Sequence, residues 1–153
     1  GEREVDDFYK FTYLMTSDEI FELMEPDAND WDKGNKTGKE LVNVAIKGIQ
    51  EKKGKGIKVI DLREMDGAIC QYFVVCEGNS PQQVDAIADS VEEMVRIEQH
   101  DKPVHVVGTE NAQWIAMDYV DVMVHIFIPE ARDFYNLENL WQDAPIEEIA
   151  DLD

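Results

Sequence analysis

The stretch from Tyr72 to Gln83 constrains the fold more than any other. Residues 72–76 are five consecutive apolar positions rich in β-formers. That is the pattern of a strand buried on both faces. Gly78 and Asn79 turn the chain. Ser80, Pro81 and Gln83 then fall where a helix places an N-cap, a first-turn proline and a third-position glutamine. A helical face follows at Val84, Ile87, Ala88, Val91 and Val95. A strand covered on both sides that runs straight into a helix requires an α/β architecture.

The flanking segments extend that reading. Thr37 and Glu40 have capping-box spacing ahead of Leu41, Val42, Ala45, Ile46 and Ile49, and the predicted helix ends at Lys52, Lys53 and Gly54. Residues 57–62 read as a strand and 65–69 as a turn. After Pro103, residues 104–107 read as another strand. Residues 114–118 and 121–128 read as an antiparallel pair across a tight connection. In the second of these, Val122, Val124, Ile126 and Ile128 share one face, opposite Asp121, Met123, His125 and Phe127. A short helix begins near Glu130 and runs through Tyr135, with a further helical turn over 137–141. The order α-β-β-α-β-β-β-α describes a mixed sheet of about five strands flanked by helices, not a pure βαβ repeat.

Charge divides the chain. Residues 1–36 hold 11 acids and 4 bases, and residues 143–153 hold 5 acids and no base, within a total of 34 acids and 14 bases. The sequence thus predicts an acidic, aromatic N-terminal extension over 1–36, a folded domain over 37–145 and an acidic tail over 146–153. In the extension, Thr16 and Glu19 cap a short helix that stops before Pro26, and 28–36 reads as a polar linker. A net charge of -20 repels phosphate backbones and anionic lipids and favours a basic partner. Sequence-specific nucleic-acid binding is not expected. Nor is a membrane role, because the longest apolar run falls far short of the roughly 18 residues a span needs. The N-terminus lacks the basic-then-apolar order of a secretory leader. Two cysteines, Cys70 and Cys76, form no disulfide framework, so a reducing, cytoplasmic location is expected.

Motifs for catalysis are thin. The junction at 78–83 could hold an anion on backbone N–H groups, but it contains neither GxGxxG nor a P-loop pattern. A glycine-serine step before a helix is reminiscent of nucleotidyltransferases. Those need a carboxylate set for magnesium, and only Asp118 and Asp121 present themselves. Ser80 with His125 could be imagined as a triad, yet Ser80 is already explained as a cap. Cys70 or Cys76 with His125 has the same weakness. His100, His105 and His125 form no HxxxH or HExxH spacing. No catalytic residue, cofactor or metal is therefore expected. Alternation places Trp114, Ala116 and Asp118 on one strand face. A tryptophan beside an acidic pair suits an anchor for a basic protein. The same pattern equally suits a core tryptophan with aspartates solvating a hairpin end.

These segments resemble a known family. IKVIDLRE (57–64), QYFVVCEGNSPQQVDAIADSVEE (71–93), WIAMDYVDVMVHIF (114–127) and EARDFYNLENLWQDAP (130–145) are similar, in order, to the ribosomal silencing factors, RsfS or Iojap. The resemblance implies a mixed α/β sheet related to nucleotidyltransferases but without their catalytic residues. It implies a non-enzymatic protein that binds the large ribosomal subunit through ribosomal protein fourteen. There it blocks subunit association and represses translation, notably in starvation, or serves large-subunit assembly in organelles. It implies homodimers as well. The family's partner-binding tryptophan falls on Trp114, and the neighbouring motif positions fall on Met117, Asp118, Tyr119 and Asp121. Two positions depart from the family pattern. Gln71 stands where an aspartate is usual. Val120 stands where a glycine is usual, and valine there is costly if the turn needs positive φ.

Overall fold

A computed structural model describes residues 38–68 and 70–152. The expected helix and linker of the N-terminal extension, and the Thr37 cap, lie outside those residues. In chain order the elements are α1 (Gly38–Glu51), β1 (Lys55–Asp61), β2 (Tyr72–Glu77), α2 (Pro81–Gln99) and β3 (His105–Val107). Then come β4 (Trp114–Asp118), β5 (Val122–Phe127), α3 (Pro129–Tyr135), α4 (Leu137–Leu140) and β6 (Ile146–Glu148).

The capping signals read at Ser80, Pro81 and Gln83 act as expected. Ser80 Oγ accepts the Gln83 N–H at 3.2 Å, and Gln83 Oε1 accepts the Asn79 N–H at 2.6 Å. The same glutamine's amide nitrogen donates to the carbonyls of Lys52 and Lys53 at 3.0 and 3.2 Å. One side chain thus starts α2 and satisfies the orphan carbonyls at the end of α1. The two helices approach closely at Gly48, where an added Cβ would lie 2.8 Å from Val91 Cα. Ser90 Oγ donates to the Gly48 carbonyl there at 2.7 Å.

The six strands lie in the order β3-β4-β5-β2-β1-β6, with β2 and β5 parallel and every other neighbouring pair antiparallel. β2, read as buried on both faces, lies inside the sheet between β5 and β1. Helices α1 and α2 cover one face. They bury Val42, Ala45, Ile49, Val84, Ile87, Val91 and Val95 against Ile57, Val59, Val74, Cys76, Ile115, Met117, Val124 and Ile126. The opposite face carries Ile60, Phe73, Val75, Ala116, Met123, His125 and Phe127. All seven are buried as well. The Trp141 ring meets Phe73 edge-on across this face, and Tyr135 of α3 lies against Trp114.

The sheet has one strand more than the sequence pattern predicts. Residues 146–148 sit in the stretch expected to be an acidic tail, yet Ile146–Glu148 pairs with β1 through Lys58–Ile60. The chain then continues along β1, with Ile149 N–H on the Ile57 carbonyl at 2.9 Å and Asp151 Oδ1 accepting from Gly56 N–H at 2.9 Å. All three residues of β6 are exposed, so no hydrophobic periodicity marks them. Main-chain pairing with an open edge supplies the strand instead.

Candidate functional site

The β4–β5 hairpin and α3 bring the singled-out residues to the face opposite α1 and α2. Pairing of Trp114 with Phe127 and of Ala116 with His125 makes Trp114 and His125 diagonal neighbours on that face. Trp114 is half-buried. Its Nε1–H donates to His125 Nδ1 at 3.1 Å. The indole stacks on Phe127 with centroids 5.0 Å apart and leans on Tyr135 at 4.6 Å. Phe134, 58% exposed, meets Tyr135 edge-on at 5.1 Å and carries the aromatic surface outward. Gly108 (φ +89°) lets the β3–β4 loop pass the Trp114 carbonyl at a distance no side chain would tolerate.

Asp118 shares the face of Trp114 but sits at the other end of β4, about 13 Å away at the usual rise of a strand. Its Oδ1 accepts the Val120 N–H at 2.8 Å. Burial holds its pKa above the usual carboxylate range, opposed by that hydrogen bond and by the neighbouring His105. Asp121 is pushed up to about 6, mostly by burial and then by the like charge of Asp101. Among the described residues neither carboxylate has an ion-pair partner. The turn between them is strained. Val120 has φ +76°, and the Asp121 N–H returns to the Tyr119 carbonyl at 2.9 Å, which is a γ-turn. The positive φ that would make valine costly is therefore present. The Asp121 carbonyl accepts from the N–H groups of Gln71 and Tyr72 at 2.7 and 3.1 Å, tying the hairpin to β2. That tie uses the main chain of residue 71, so it does not depend on whether glutamine or aspartate stands there.

Of the five expected contact residues, the structure brings Trp114 and Asp118 to one face and Asp121 to the adjoining turn. Met117 and Tyr119 point the other way, into the core under the helices, at 1% and 3% exposure. Sequence reasoning passed over the His125 acceptor, although its signal was available. Once the hairpin register is set, His125 is the diagonal neighbour of Trp114. It also passed over Arg132, which is buried and donates to Glu77 Oε1 at 2.9 Å and to Glu138 Oε1 at 2.7 Å. That cluster fastens α3 and α4 to the end of β2.

The arrangement gives the imagined catalytic pairs little to work with. Cys76 lies on the helix side and His125 on the opposite side of the sheet. Burial pushes both cysteine thiols well above their ordinary range, and it pushes His125 down to about 3. Ser80 Oγ is engaged as a cap. Among the described residues no group of three or more His, Cys, Asp or Glu side chains could hold a metal. No helix among them is long and apolar enough to cross a membrane.

Residues 35–153 match the family described as "Ribosomal silencing factor during starvation". The chain belongs to the RsfS family. It is 35% identical over 115 residues to the ribosomal silencing factor RsfS of Bacillus subtilis, covering 75% of this chain and 93% of the relative. It is 34% identical over 113 residues to the RsfS of Halalkalibacterium halodurans, covering 74% and 95%. A crystal structure of a Chromobacterium violaceum protein is similar at 33% identity with a TM-score of 0.66, over 70% of this chain and 88% of that one. The mixed sheet flanked by helices is thus the fold of RsfS-family structures.

Proposed function

We propose that this RsfS-family chain is a non-enzymatic, cytoplasmic translation repressor that docks on the large ribosomal subunit through ribosomal protein fourteen and blocks subunit association. The observation that carries the reading is the composition of one face. A half-buried indole, ring-stacked and hydrogen-bonded in place, stands at one end of β4. Two carboxylates with no ion-pair partner among the described residues stand at the other end. The aromatic group is an anchor for an apolar pocket, and the carboxylates attract a basic rim. Met117 and Tyr119 support the face from behind. The chain's net charge of -20 restricts docking to a small patch on a basic protein, since surrounding phosphates repel the rest of the surface. Purified large and small subunits mixed with the protein supply the test. Loss of joined ribosomes, with the protein co-sedimenting on the large subunit, is the expected result. Normal joining at saturating protein would refute the reading.

A further inference from the structure

We propose that His125 is a positioning residue for docking: by accepting the indole N–H it sets the orientation in which Trp114 meets its partner. This rests on the docking role of Trp114 just proposed. The geometry carries the inference. A neutral imidazole has one acceptor nitrogen, and here it is Nδ1, 3.1 Å from Trp114 Nε1. The imidazole is itself held. Phe73 meets it edge-on at 4.6 Å and Phe127 stacks beside it at 6.2 Å. Phe127 also stacks on Trp114, so one phenyl ring braces both donor and acceptor. His125 is completely buried. Burial drives its proton off, and Nδ1 stays an acceptor throughout the pH range of a cell. The histidine's distinctive contribution is direction. Without a fixed acceptor a half-buried indole has more freedom to slide and rotate in its plane, and His125 reduces that freedom before the partner arrives.

The test uses full-length ¹⁵N-labelled protein and purified large ribosomal subunits. Trp114→Phe identifies the Trp114 indole resonance. His125→Phe keeps an aromatic ring and removes the acceptor. His125→Asn keeps an acceptor oxygen about where Nδ1 stands. In His125→Phe we expect a folded protein with Tm lowered by no more than a few degrees, a shifted indole resonance that exchanges its proton about tenfold faster, and about tenfold weaker binding to large subunits. His125→Asn should recover part of both the slow exchange and the affinity. An unshifted indole resonance in His125→Phe would overturn the pairing. Wild-type affinity in His125→Phe, alongside weak binding by Trp114→Ala, would overturn the positioning role alone. Wild-type affinity in Trp114→Ala would overturn the docking reading itself.

Discussion

The two faces of the sheet are both buried, yet they are built from different chemistry. Under α1 and α2 the contacts are mainly aliphatic, with Val42, Ile49, Val91, Val124 and Ile126 at zero exposure. The opposite face joins the aromatic rings of Phe73, Trp114, Phe127, Tyr135 and Trp141 to His125, Asp118 and the Arg132–Glu77–Glu138 cluster. Aliphatic side chains interlock without regard to direction, and their worth is area removed from water. Indole, imidazole and guanidinium groups must be aimed at partners. The first face therefore holds the molecule together, and the second fixes where particular groups point. The proposed docking through a small patch needs both properties, and here they are separated across one sheet.

Four substitutions would break or sharpen that contrast. The largest effect is expected on the helix side. Ile126→Ala leaves a cavity in a fully buried position and should cost about 3 kcal/mol of stability by denaturant melts. Affinity for large subunits, corrected for the folded fraction, should stay at the wild-type value. Trp114→Ala reverses the pattern. It should weaken large-subunit binding by about thirtyfold, roughly 2 kcal/mol, while costing less stability than Ile126→Ala. Equal stability losses with wild-type binding by Trp114→Ala would erase the distinction between the faces.

Val120→Gly addresses the strained turn at the edge of the proposed docking face. Releasing a β-branched residue from φ +76° outweighs the greater freedom of glycine in the unfolded chain. A net gain of about 1 kcal/mol is expected, read as a Tm rise of a few degrees. A fall in Tm would show that the valine side chain contributes packing that offsets the strain.

The smallest effect is the pH-dependent one. The Asp121 carboxyl is pushed up to about 6, above the 3.8 usual for an aspartate. Between those values the folded state holds a proton that the unfolded state has lost, so this group's contribution to stability falls as pH rises through that window. Asp121→Asn should therefore raise Tm slightly at pH 8 and leave it unchanged near pH 3. A basic partner favours the charged carboxylate, so wild-type affinity should rise between about pH 5 and 7 more than Asp121→Asn affinity does. Parallel pH profiles for the two proteins would remove Asp121 from the contact.

Much of the fold was legible because local signals and periodicity agree. Ser80, Pro81 and Gln83 announce α2, and the apolar run at 72–76 announces a strand covered on both sides. The alternation in residues 114–118 already separates Trp114 and Asp118 from Met117. β6 was not legible. Its residues Ile146, Glu147 and Glu148 are all exposed and carry no period, and only the open edge of β1 makes them a strand. The Arg132 cluster was equally hidden, since Glu77 lies 55 residues away in sequence.

By itself, then, the sequence determined the described elements other than β6, the side of each strand on which a residue sits, and the family. Those depend on caps, on the period of two along a strand, and on ordered motifs, all of which are local or written along the chain. The tertiary structure alone decided which side α1 and α2 would cover, and so whether Met117 or Trp114 faces outward. It also decided that Asp121 is buried enough, and near enough to Asp101, to titrate about 6, and that His125 receives the indole N–H. Burial and hydrogen-bond direction depend on groups distant in the chain, and no local pattern encodes them.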